Sequence, residues 1–302
     1  MIDLPSKSDI EKISLDLLKQ SKALDIFPTP VDKIISYSEL HLENGIDLSH
    51  LDQSFLSKLS GKASQKFIEA MGLVRGFIDR REKIIYLDLS QNFNRQNFIK
   101  LHEVGHDALT WQREILEYLD DDTTLDSYTK EEFEAEANYF ASITLFQHDR
   151  FENEMQRLEL GIKSPMALAK QFGASIHATL RRYVECSKNR CALLVLERDP
   201  SQNGIISCLK RDYFQSHNFT ETFGIIELQN KFGYSWQFTK DYCFGKKYHE
   251  AGIVQLSTKN GETEFKYHFF NNTFNAFVFI IPKGEVNKTR TRIILSNKSL
   301  FK

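Results

Sequence analysis

NFIKLHEVGHDALTWQ, residues 97–112, decides how the first half of the chain is read. His102 and His106 stand four apart, so on a helix their imidazoles leave the same face and can meet one ion. Zinc would take both ring nitrogens and still need a third protein ligand. Glu103 lies one step around the helix, where a carboxylate can take a proton from an activated water instead of binding the ion. An amphipathic helix with two surface histidines is the plain alternative. The neighbours Leu101, Val104, Ala108 and Leu109 weigh against it, because they mark a partly core-facing helix in which two bare imidazoles would be costly.

A third ligand is expected on the next helix, in EEFEAEANYFA (residues 131–141). Phe133, Ala137, Phe140 and Ala141 define its inward face, and Glu134 lies beside that face. Glu131 and Glu132 fit a first turn, where acids favour the helix dipole. Glu134 is therefore the preferred ligand and Glu136 the lesser candidate.

Around this pair of helices the chain divides in two. Residues 8–20 carry a helical apolar pattern, Pro28 and Pro30 break it, and a second helix spans Val31 to Leu40. GLVRGFIDRREKIIYLDLS reads as a β-hairpin with a charged turn. The helix carrying His102 and His106 is expected to run on to about Tyr118, followed by an acidic loop and a helix from Thr129. SPMALAKQFGASIHATLRRYVE reads as two short helices around a turn at Gly173, resembling a helix-turn-helix. Its supply of base-reading side chains is poor, so packing or docking is favoured over DNA binding. Beyond Asn189 short β-branched and aromatic runs take over: CALLVLER, GIIELQ, YSWQFT, AGIVQLST, TEFKYHFF, FNAFVFIIP and RTRIILS. The expected organisation is an α+β chain, with a mainly helical domain at 1–189, including the helix-turn-helix-like segment 164–185, and a β-rich domain at 190–302.

Lys and Arg number 39 against 41 Asp and Glu, so no global positive field draws the protein to nucleic acid. No signal peptide or membrane span is evident, and the four cysteines form no C-x-x-C pair, which points to a cytoplasmic protein with ordinary thiols.

FIKLHEVGHDAL followed by EAEANYFASITLF, with its E-x-x-A-N-x-F-A pattern, resembles the ImmA/IrrE metallopeptidases. FPTPVDKIISYSELHLE, the hairpin and LAKQFGASIHATLRRY are similar to flanking parts of that family, so the resemblance spans roughly residues 25–185. It implies a zincin-like fold and a zinc-dependent endopeptidase that cleaves a helix-turn-helix repressor, derepressing stress-response or mobile-element genes. His102, His106 and Glu134 become metal ligands and Glu103 the general base, with Mn²⁺ suited to the same ligands. Some family members append a GAF-like sensor domain. Where the family often ends the third-ligand helix in Met-Pro or Leu-Pro, this chain has Gln147-His148-Asp149, and His148 is a candidate substrate or transition-state contact. The competing expectation is a non-proteolytic regulator with a vestigial peptidase fold, binding DNA or a repressor in a toxin–antitoxin or phage-related setting.

Overall fold

The computed structural model describes residues 4–43, 76–79, 82–87, 92–118, 127–200 and 207–285. They form two compact units, one of residues 1–153 and 167–176, the other of 154–166 and 177–302.

The first unit is mainly helical. Helices α1 (Lys7–Gln20) and α2 (Val31–Tyr37) precede β1 (His41–Glu43), and β2 (Gly76–Asp79) and β3 (Ile84–Leu87) form the expected hairpin with Phe77 opposite Tyr86. β1 adds to β3 in parallel, giving the order β1-β3-β2. Helix α3 (Phe93–Ala108) begins at Asn92, whose side chain accepts from the Arg95 amide and satisfies one free N–H of the first turn. Lys100 reaches Asp32 on α2 at 2.9 Å, and Lys83, in the turn just before β3, reaches Asp107 at 2.5 Å. Both ion pairs tie α3 to its neighbours.

The helix expected to continue to Tyr118 does not. Leu109 is extended, with ψ at 95°, and a separate helix α4 (Thr110–Tyr118) starts beyond it. Leu109 is itself fully buried, so the chain turns at an anchored residue. Helix α5 (Ser127–Leu145) packs on α3 and α1, and α6 (Asp149–Met155) follows a tight turn.

That turn explains the Gln147-His148 departure. Both residues have positive φ, 50° and 54°. Gln147 is fully buried, and its carbonyl oxygen accepts from the Asp25 amide at 2.7 Å. Its amide nitrogen donates to Ile26 O at 2.8 Å and Thr29 Oγ1 at 3.0 Å. One side chain thus satisfies the loop between α1 and α2, which a Met or Leu could not do.

Helices α7 (Lys163–Phe172) and α8 (Ile176–Cys186) occupy the helix-turn-helix-like segment, with Gly173 at φ +70° between them. Thr179, Leu180, Tyr183 and Val184 of α8 are buried.

In the second unit a six-stranded antiparallel sheet has the order β6-β5-β4-β9-β8-β7, from β4 (Ala192–Arg198), β5 (Ser207–Gln215), β6 (Lys231–Gly233), β7 (Tyr248–Thr258), β8 (Gly261–Asn271) and β9 (Asn275–Pro282). α8 lies on one face, with Tyr183 against Phe279 and His177 against Phe277. The other face carries the larger core, with Leu194, Val278, Ile280 and Phe269 under α9 (His217–Phe223) and α10 (Gln237–Cys243). β9 is therefore buried along its whole length, whereas edge strand β7 alternates and leaves Ile253 exposed.

Two expected strands are absent. GIIELQ is irregular because the Ile226 amide donates to the Gln215 side chain in place of a neighbouring strand. YSWQFT becomes a turn and the start of α10. RTRIILS lies outside the described residues. β5 went unexpected because its charged sequence, SCLKRDYFQ, hides the alternation.

A bulge between His249 and Gly252 shapes the far edge. Gly252 lies over the Tyr267 ring, where a Cβ would stand 2.1 Å from Cζ. Nearby, Asp241 accepts from His249 Nε2 at 2.7 Å, from Tyr267 Oη at 3.1 Å and from Gln237 Nε2 at 3.1 Å. Burial pushes the Asp241 carboxyl up, but its hydrogen bonds to His249 and Gln237 prevail and hold it below the usual value of 3.8.

Two outcomes are expected. Gln147→Leu should cost about 2–4 kcal/mol in chemical denaturation, since it strands three polar partners. A lowered carboxyl contributes stability that is complete above pH 3.8 and is lost as pH falls through the depressed folded-state value. Asp241→Asn should therefore be less stable than wild type by about 1–2 kcal/mol at neutral pH, with the gap closing in acid. A gap independent of pH in unfolding curves would refute the ionised role.

Candidate metal centre

His102 and His106 are buried, 1% and 7% exposed, which removes the surface-histidine alternative. Their four-residue spacing on α3 brings the two Nε2 atoms to 3.1 Å. Glu134 on α5 reaches across, with Oε2 3.3 Å from His102 Nε2 and Oε1 3.5 Å from His106 Nε2. Three potential ligand atoms thus converge on one point, all within 4.8 Å of one another.

Glycine 105 permits the crossing. A Cβ there would lie 3.0 Å from the Phe140 ring and 3.4 Å from Ala137 Cα, so the helices touch almost backbone to backbone. Glu134 stands one turn before Ala137 and Asn138, and this contact sets its reach.

The donor set fits a small divalent cation. Tetrahedral ligands at about 2.0–2.1 Å from zinc are separated by roughly 3.3–3.4 Å; the two Nε2 atoms stand near that figure at 3.1 Å, and each faces a different oxygen of the Glu134 carboxylate. Burial raises the Glu134 carboxyl, but its interactions with His102 and His106 outweigh it and hold the carboxyl far below the ordinary range. Burial likewise lowers His102, and its hydrogen bond to Glu134, with the charges of Glu103 and Glu134, turns the balance upward. A carboxylate that strongly favours its anionic form against two buried imidazoles is a site that attracts positive charge.

Glu103 is also buried, on the side of α3 that faces β2. Gly76 makes room for it. A Cβ on Gly76 would be 2.3 Å from Ile99 Cγ2 and 3.1 Å from Glu103 Oε1. Glu103 is close enough for its charge to act on His102 without being one of the converging groups.

Glu136, the lesser candidate, turns elsewhere. Its oxygens accept from Ser6 Oγ, from Trp111 Nε1 at 2.9 Å and from Gln112 Nε2 at 2.6 Å. His148 is not brought to the cluster. It follows the far end of α5, after roughly 17 Å of helix from Glu134 to Leu145, and its Nε2 lies 3.0 Å from Ser14 Oγ on α1. Sequence reasoning missed Gln112, whose Oε1 lies 2.8 Å from His106 Nδ1. No spacing rule finds it, because the break at Leu109 brings it there.

Gly105→Val should drive α5 off α3, costing about 2–3 kcal/mol by overpacking and weakening zinc capture about tenfold or more. Zinc titration against a chromogenic chelator, beside thermal unfolding, checks both.

Comparison with known proteins returns no match among curated sequences. Among solved structures, a Mycobacterium tuberculosis transcriptional regulator aligns at 12% identity over 91% of this chain and 76% of that one, with a TM-score of 0.49. The profile of the Peptidase_M78 family, described as the IrrE N-terminal-like domain, matches residues 65–183. That span holds α3, α5 and all three converging side chains. Over residues 65–183, less than half of its length, the chain is therefore similar to the IrrE N-terminal-like domain of the Peptidase_M78 family.

Proposed function

We propose that the chain is a zinc-dependent endopeptidase acting on a helix-turn-helix transcriptional repressor, so that cleavage derepresses stress-response or mobile-element genes. The convergence of His102, His106 and Glu134 beside Glu103, inside a peptidase-family domain, carries the reading. The repressor substrate follows from the resemblance to ImmA/IrrE proteins.

His102 and His106 would hold the ion through Nε2 and Glu134 through its carboxylate, with Mn²⁺ an acceptable substitute. An ion held there would supply Lewis-acid chemistry, with zinc the expected metal. Glu103 would act as the general base that accepts a proton from the attacking water and returns it to the departing amine nitrogen. Its place beside β2 suits this task, because a carboxylate outside the ligand set stays free to exchange protons. Burial around the histidines excludes bulk water and strengthens each of these interactions.

The second unit is read as a regulatory or substrate-selecting domain. Its six-stranded antiparallel sheet, with α9 and α10 on one face, is compatible with a GAF-like sensor. Direct DNA binding is disfavoured. α8 spends its apolar face on the sheet, Arg181 pairs with Glu185, and His177 lies 3.3 Å from Asp212. No helix among the described residues is long and apolar enough to cross a membrane, and a cytoplasmic location is part of the proposal.

Native mass spectrometry after zinc loading should find about one ion in wild type and a weakened complex in His106→Ala and Glu134→Ala. Glu103→Gln should keep the ion and lose, by about 10²–10⁴-fold, cleavage of whichever helix-turn-helix repressor the wild type cuts. Wild-type cleavage by that variant would sink the role of Glu103. An uncut but stably bound repressor would favour the vestigial-peptidase alternative.

A further inference from the structure

We infer that Gln112 and Glu136 are positioning residues that fix the tautomer of His106, holding Nδ1 protonated so that Nε2 offers its lone pair to the cluster. The consequence for metal binding rests on the metallopeptidase reading, but the tautomer itself can be tested without metal.

Hydrogen-bond accounting at Gln112 carries the argument. Its Nε2 lies 2.6 Å from Glu136 Oε2 and 3.2 Å from Phe133 O. A backbone carbonyl only accepts, and so does an ionised carboxylate. Reversing the amide would place its oxygen against both of them, so its orientation is fixed by its partners. Glu136 is braced in turn by two other donors, Trp111 Nε1 and Ser6 Oγ. With the amide so held, Oε1 faces His106 Nδ1 at 2.8 Å. A carbonyl oxygen can only accept, so Nδ1 carries the hydrogen, and in the neutral ring Nε2 then holds the lone pair.

The two histidines are then unequal. With His106 Nε2 bare, the 3.1 Å contact between the Nε2 atoms requires His102 Nε2 to donate in the metal-free protein. His102 Nδ1 is buried and has no hydrogen-bond partner among the described residues. One ligand is therefore set in its binding tautomer by a chain of fixed groups, while the other must change tautomer when an ion arrives. Outer partners of this kind orient a ligand and raise its basicity, and their removal costs ~10–100-fold in metal affinity.

The broken helix is what makes this possible. On an unbroken helix Gln112 would sit six residues past His106, about 240° around the axis, and face away. The extended Leu109 returns it to the ring.

The test is long-range ¹H–¹⁵N NMR of histidine-labelled, metal-free full-length protein at alkaline pH, with His106→Asn identifying the His106 signals. Wild type should show the Nδ1–H tautomer at His106. Gln112→Met, of similar length but without donor or acceptor, should show a mixture or the Nε2–H form, and Glu136→Ala should shift in the same direction. Competition against a chelator should show zinc binding ~10–100-fold weaker in both variants. An Nε2–H tautomer in wild type overturns the inference, as does a folded Gln112→Met that keeps the wild-type tautomer. A purely structural role would lower the melting temperature and leave the tautomer alone. If the variants fail to fold, the wild-type spectrum still decides. If wild type shows the Nδ1–H form but binds no zinc, the inference stands and the metallopeptidase reading fails.

Discussion

Two helices meeting almost backbone to backbone at Gly105 is the constraint on which the first unit depends. A Cβ at that crossing would press on the Phe140 ring at 3.0 Å, and larger side chains would push α5, with its Glu134 carboxylate, away from the imidazoles. The contact is made of small groups on one side, Gly105 and Ala137, and one large ring, Phe140, that fills the space beside them. Two buried imidazoles and a largely buried carboxylate are expensive in isolation. They are tolerable here because each offsets the desolvation of the others, which leaves a local negative potential aimed at one point.

Around that point the polar groups are matched in layers. Gln112 meets His106, Glu136 meets Gln112, and Trp111 and Ser6 meet Glu136, so the polar interior runs out through α4 toward the start of α1 without an unmatched acceptor along that line. The opposite end of α5 is anchored by different chemistry. There Gln147 serves the loop after α1, and Thr144 bonds Ser14 at 2.7 Å. The helix carrying the third converging group is thus tied at both ends to the N-terminal segment. The second unit follows another principle, a sheet buried on both faces at its centre and alternating at its edge.

Much of this was legible in the sequence because periodicity reports which face is buried. The i, i+4 histidines, the inward face of α5 and the β2–β3 hairpin all follow from local spacing. Glu134 could be preferred over Glu136 from helical phase, and the structure places only Glu134 at the cluster. What spacing cannot report is a change of direction. The break at Leu109 carries no Pro or Gly, so a continuous helix was the natural expectation and Gln112 was invisible. GIIELQ has the composition of a strand, yet a single Gln215 side chain captures its backbone. His148, the candidate substrate or transition-state contact, lies beyond the far end of α5, with its Nε2 3.0 Å from Ser14 Oγ.

The junction at Leu109 also limits how the chain can vary in length. From His106 to Gln112 every residue is either in a helix or at the turn, so the two side chains meet only at one separation along the chain. Adding or deleting one residue there would rotate Trp111 and Gln112 by about 100° and exchange the buried amide for whatever side chain comes next. Substitution at many points of α4 leaves this arrangement open, but insertion does not. The stretch is a length-locked hinge between the histidine helix and the rest of the domain, and its residue count is as much a part of the centre as its side chains are.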